Sequence, residues 1–122
     1  MILTIEKARE IYKGVKISKG AKIYEGAKIE AGAVVHSGAV ICPLAVIHSG
    51  AVICSRAVIY PGVVVGNRAR IGRGSVVYTD ALIGNRARIG SNVVVEENAV
   101  VEANAFVKPN AVVEPYDAYA EI

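Results

Sequence analysis

The chain repeats every six residues, and that period constrains it more than any other feature. From Ile11 to Val113 every sixth residue is Ile or Val, eighteen times in succession without a gap. With this residue as position 1, position 5 is small: thirteen Ala, Val15, Val63, Val93 and Ser75, with Asp117 the exception. Position 4 is Gly eight times, then Asn at 92, 98, 104 and 110, and Asp80. Gly, Asn and Asp tolerate a left-handed backbone, so position 4 is where the chain turns. Leu44, Arg56, Arg68, Arg86 and Tyr116 break that rule and are expected to be strained. A helix would repeat its apolar face at three and four residues, and would not accept regular Gly among β-branched neighbours. Read as strand, positions 5, 6, 1 and 2 alternate inward and outward, and positions 3 and 4 form a corner.

A longer period sets the cross-section. The heptapeptide Gly-Asn-Arg-Ala-Arg-Ile-Gly occurs at 66–72 and again at 84–90, an offset of eighteen residues or three hexads. This spacing predicts a three-sided coil in which every fourth strand stacks on the first. Eighteen hexads then make about six coils, a prism roughly 30 Å tall at about 4.8 Å per stacked strand. The composition agrees: 53% of residues are hydrophobic and only 6% aromatic. A narrow prism has room inside for Ile, Val and Ala and little else. One domain is expected at this length.

The Ile/Val-x-x-Gly/Asn-Ala-x pattern resembles the hexapeptide-repeat superfamily over residues 11–118. The resemblance implies an all-β fold, a left-handed parallel β-helix. Handedness comes from the family alone, since ordinary parallel crossovers are right-handed. Eighteen hexads without an insertion also fit an idealised or designed chain. Residues 1–10 break the repeat and are expected to cap it, either as a helical turn Glu6–Ile11 started by Thr4 or as a frayed first strand. A cap is needed there because an open strand edge invites aggregation. At the far end Val113-Glu114-Pro115-Tyr116 resembles the Val-x-Pro-Tyr exit of hexapeptide acyltransferases, and residues 119–122 read as a tail.

Grouping residues by eighteen assigns the outward side chains to three faces. One carries Val40, Val58, Val76, Val94 and Val112 beside Tyr24, Cys42, Tyr60 and Tyr78. A second carries Val46, Val64, Leu82 and Val100 beside Tyr12, Glu30 and His48. The third is more polar, with Arg70, Arg88, His36 and Cys54. Apolar patches of this extent mark association. The family is commonly trimeric, so a homotrimer burying Val40, Val58, Val76, Val94, Val112, Tyr60, Tyr78, Val46, Val64 and Leu82 is expected.

Two side-chain pairs one coil apart suggest chemistry. Glu30 beneath His48 is the pattern of an oriented general base, and His36 beneath Cys54 that of an activated thiol. The resemblance implies that a histidine serves as base in the family's acyltransferases, and His48 with Glu30 fits that role best. Arg68 stacks on Arg86 and Arg70 on Arg88, columns suited to the phosphates of a coenzyme A thioester. A metal is not expected: the family's carbonic anhydrase branch uses three histidines, and this chain has two. A site completed by Cys54 across a trimer interface is the one arrangement left open. Cys42 and Cys54 lie on different faces, which argues against a disulfide. Two Thr are too few for the threonine ranks of β-helical ice-binding proteins.

A net charge of +3 does not point to nucleic acid. The longest apolar run, Ala39–Ile47, has nine residues against about 20 for a membrane span. Glu6, Lys7, Arg9 and Glu10 sit where the core of a secretion signal would begin, so a cytoplasmic setting is expected. The first functional expectation is a structural, self-associating solenoid without catalysis or cofactor, because no loop interrupts the repeat to build a site. The alternative is a minimal acyltransferase with His48 and Glu30 at a trimer interface, its donor held by Arg68, Arg70, Arg86 and Arg88.

Overall fold

The computed structural model describes residues 1–115 and the backbone of 118–119. Among the described residues a short helix, α1 (Ile5–Ile11), is followed by eighteen two-residue strands, from Lys16–Ile17 to Ala118–Tyr119. They form three parallel sheets of six strands each, and every strand pairs with the one three hexads away. Arg70 lies opposite Arg88, Val76 opposite Val94, and Leu82 opposite Val100. The architecture is the three-sided, left-handed parallel β-helix. For convenience the sheets are called the arginine face (with Arg70 and Arg88), the tyrosine face (with Tyr60 and Tyr78) and the histidine face (with Glu30 and His48).

Each strand hides one side chain and presents the next. Ile41, Ile47, Ile53, Ile59, Ile71 and Ile83 are fully buried, as are the alanines before them. Each Ile stem withdrawn from water is worth about 1.5–3 kcal/mol. Corners turn where position 4 predicts. Leu44, Arg56, Arg68 and Arg86 also adopt the left-handed backbone, with φ between 60° and 68°. For a residue carrying a Cβ this costs about 1–2 kcal/mol. Tyr116, expected to be strained in the same way, lies outside the described residues.

Ser75 stands where other hexads have Ala or Val, and it is fully buried. Its hydroxyl donates to the Gly90 carbonyl (2.6 Å) and accepts from the Val93 N–H (3.0 Å). At other corners the equivalent backbone groups bond directly, as Ala99 N–H does to Glu96 O. The hydroxyl thus props this one corner open.

The N-terminal end departs from the repeat. Ile11, read as the first inward residue, is the last residue of α1 and is 50% exposed, whereas Tyr12, read as outward, is buried. The helix shifts the phase: it turns about 100° per residue instead of 180°, so inward and outward positions exchange. Thr4 caps it, accepting from the Lys7 N–H at 3.1 Å.

The purpose of this segment follows from the ladder. Strand N–H groups bond to carbonyls of the next coil, as Lys16 N–H does to Ala33 O, so the strand carbonyls of the first coil face away from the stack. The cap supplies donors to all three faces. Arg9 Nη2 donates to Ile17 O (2.8 Å), the Leu3 N–H to Ile23 O (2.8 Å), and Tyr12 OH to Ala27 O (2.7 Å). Burial pushes the Tyr12 phenol pKa up, which keeps it a donor. Ile2 also makes an antiparallel bridge to Tyr24, covering that sheet edge.

Candidate active site

The arginine face is bounded by two corners, and each holds one of the pairs singled out by spacing. Along the corner shared with the histidine face, His48 Nδ1 lies 3.2 Å from Glu30 Oε1. The same carboxylate oxygen accepts the Ser49 N–H at 3.0 Å. Ser49 Oγ donates to Ala31 O at 2.7 Å. The Glu30 stem therefore spans one coil and is fixed at its tip by two donors. Its carboxyl is held below its ordinary pKa, first by the His48 contact and then by the Ser49 N–H. Both side chains keep solvent access, 34% for His48 and 51% for Glu30. A ring whose Nδ1–H meets a carboxylate has its Nε2 lone pair free, which is the arrangement a general base requires.

One coil further along the same corner is a surface cavity of about 300 Å³ lined by Ser49, Asn67, Arg68, Asn85 and Arg86. The Asn67 N–H donates to Asn85 Oδ1 at 2.8 Å. That bond holds the carboxamide with its oxygen toward the backbone.

The corner between the arginine and tyrosine faces holds the second cavity, about 310 Å³. It is lined by His36, Cys54, Ser55, Arg70, Gly72, Arg73, Ile89, Gly90 and Ser91. His36 and Cys54 share this cavity, yet their side chains make no hydrogen bond to each other. Cys54 is 7% exposed, its thiol tucked against the sheet. The glycines create the space and leave none beneath it: a Cβ on Gly72 would run into the carbonyl of Gly90. Both cysteines are free, and burial pushes the Cys42 thiol pKa up. Among the described residues no group of three or more His, Cys, Asp and Glu converges as a metal site.

Arg70 and Arg88 lie opposite each other on the sheet between the two cavities. The Arg88 guanidinium sits 5.9 Å from the centre of the Phe106 ring. All four arginines named from the sequence are brought into one strip, Arg68 and Arg86 at its corner and Arg70 and Arg88 on its face. On the tyrosine face, Tyr60 and Tyr78 stack at 4.9 Å and 11°. Val40, Val58, Val76, Val94, Val46 and Val64 are half-buried, since stacked neighbours cover one another. Tyr78, Leu82, Val100, Phe106 and Val112 remain exposed. Among the described residues no helix is long and apolar enough to cross a membrane.

Three contacts lay beyond the spacing argument: the Ser49 N–H on Glu30, the Asn85 carboxamide staple and the Ser75 prop. Each has a faint sequence trace. Asn67 and Asn85 are part of the duplicated heptapeptide, and Ser75 is the one hydroxyl at position 5.

A family model of the bacterial transferase hexapeptide (six repeats) matches residues 44–79 and 80–115, more than half of the chain. No curated protein matches it in sequence. Among solved structures, a variant of GDP-perosamine N-acetyltransferase from Caulobacter crescentus, in complex with CoA and GDP-perosamine, shares the fold at a TM-score of 0.58. It is 19% identical over 88% of this chain and 57% of its own. A second variant of that enzyme aligns at 23% identity and a TM-score of 0.48, over 89% of this chain and 53% of its own. A hexapeptide transferase family protein from Anaplasma phagocytophilum aligns at 22% identity and a TM-score of 0.42, over 84% and 72%. The chain thus spans little more than half the length of the Caulobacter enzyme.

Proposed function

Because the chain belongs to the bacterial hexapeptide transferase family, we propose that it moves an acyl group from a coenzyme A thioester to a hydroxyl or amine, with His48 as general base. The observation that carries this reading is the Glu30–His48 contact at 3.2 Å, locked by the Ser49 N–H on the same oxygen. His48 Nε2 takes the acceptor proton as the acceptor oxygen or nitrogen bonds to the acyl carbon. It then returns that proton to the departing thiolate. Glu30 keeps the ring in the required tautomer and stabilises the imidazolium between the two transfers.

Arg70, Arg73 and Arg88 fit the donor's phosphates, because they border a groove that no carboxylate lines. When bound, the coenzyme supplies an acyl carbon activated by a thiolate leaving group. Nothing in a single prism covers His48. A homotrimer of parallel prisms would bury the apolar rows of the tyrosine and histidine faces and wall in the base.

The test is acetyl transfer from acetyl coenzyme A across a panel of alcohols and amines, alongside a thermal shift with the donor. Binding to the native state must raise the melting temperature. A chain with neither transfer nor shift at millimolar donor overturns the reading. Sedimentation as a strict monomer at high micromolar concentration overturns the trimer. A non-catalytic, self-associating scaffold is the second reading, favoured by the unbroken run of two-residue strands. It predicts association without a thermal shift.

A further inference from the structure

We infer that the cavity of Ser49, Asn67, Arg68, Asn85 and Arg86 binds a phosphate or diphosphate carried by the acyl acceptor, so that the acceptor is a phosphorylated alcohol or amine; this rests on reading His48 as the base. The cavity presents donors and no carboxylate. Asn85 spends its oxygen on the Asn67 N–H, which leaves the two Nδ2 hydrogens free to donate. Among the described residues Arg68 and Arg86 make no ion pair; Glu102, one coil beyond Arg86 on the same corner, does not line the cavity, and Glu30, two coils before Arg68, is already held by His48 and Ser49. The Arg68 and Arg86 backbones stand one coil apart, about 4.8 Å along the stack, so the two like charges repel in the absence of an anion and can share the oxygens of one when it is present.

The backbone supports the same conclusion. Position 4 along this corner reads Gly14, Gly32, Gly50, Arg68, Arg86, Asn104, and all six have positive φ. Two arginines therefore stand in a backbone conformation that glycine adopts without strain. The Arg68 stem packs over Gly50, since a Cβ there would lie 3.0 Å from Arg68 Cγ.

Location separates acceptor from donor. Arg68 and Arg86 lie one and two coils beyond His48, about 5 and 10 Å along the axis, and Ser49 belongs both to the cavity and to the base's support. A coenzyme A thioester keeps its acyl carbon at the far end of the pantetheine arm from its diphosphate. Phosphates this close to the base therefore belong to the molecule being deprotonated.

The experiment is calorimetric titration of the full chain with inorganic pyrophosphate at fixed ionic strength, with and without saturating desulfo coenzyme A. Pyrophosphate is expected to bind in both cases. An Arg68→Gln/Arg86→Gln variant should bind roughly tenfold more weakly or worse. Arg56→Gln, at a corner residue of like charge and backbone, should change affinity less than about twofold. Circular dichroism melting confirms that each variant is folded. No binding, equal loss in Arg56→Gln, or displacement by desulfo coenzyme A overturns the proposal; displacement gives the cavity to the donor. Acetyl transfer then tests the acceptor directly. If pyrophosphate binds but phosphorylated and plain forms of one alcohol react equally fast, the acceptor assignment alone fails. If pyrophosphate binds and nothing is acetylated, the reading of His48 fails.

Discussion

The two corners that bound the arginine face were built from the same arithmetic and became different places. Each has a histidine, at least one serine, arginines and a cavity of similar size, and each pair is spaced by eighteen residues. At one corner Glu30 reaches across a coil to His48 and is pinned by a backbone N–H. At the other, Cys54 is too short and too sunken to meet His36. Both corners carry glycines packed against the backbone of the next coil; the first adds side chain to backbone bonds from Glu30, Ser49 and Asn85. Stacking puts residues in a column, but only a side chain long enough to span the coil spacing turns a column into a contact.

The largest effect that would test this contrast is on rate. His48→Ala should lower kcat/KM for acetyl transfer by about 10²–10⁴, the usual worth of a general base. His36→Ala should change kcat less than about threefold, since His36 makes no contact with the Glu30–His48 pair; as a lining residue of the donor groove it acts on KM. Equal losses in kcat would erase the distinction between the corners.

Next comes stability at the second corner. Gly72→Ala drives a Cβ into the Gly90 backbone. It should cost about 2 kcal/mol or more in chemical denaturation, as overpacking does. An unchanged midpoint would mean that this corner has slack.

A smaller effect concerns the left-handed arginines, Arg68 and Arg86 at the first corner and Arg56 at the second. Arg56→Gly and Arg68→Gly should each stabilise by up to about 1 kcal/mol by relieving a residue held at φ 64° or 60°. Only Arg68→Gly should weaken pyrophosphate binding. If both variants were destabilised, strain would not be what sets these arginines apart from the glycines.

The finest test is the titration of Glu30, followed by carboxyl carbon chemical shift. Its midpoint should lie below the ordinary value for Glu and rise in His48→Ala, because the His48 contact is the largest cause of the lowering. The sign follows: a depressed carboxylate adds stability above its ordinary pKa, and that contribution is lost as pH falls through the lowered value. A midpoint unmoved by His48→Ala would place the cause on the Ser49 N–H.

Much of this could be read directly. An unbroken hexad and a duplicated heptapeptide determine the coil, the corners, the buried ladders and the vertical neighbours, because parallel strands stack at a constant register. The phase at the N-terminus could not be read that way. There α1 exchanges the inward and outward roles of Ile11 and Tyr12, and three cap donors find first-coil carbonyls that no repeat residue serves. Spacing by eighteen made both histidine pairs vertical neighbours, and the family resemblance favoured His48 with Glu30, but neither could say which pair touches. Tertiary structure decided between them through side-chain reach, the depth of a thiol, and a backbone N–H placed to hold one carboxylate oxygen.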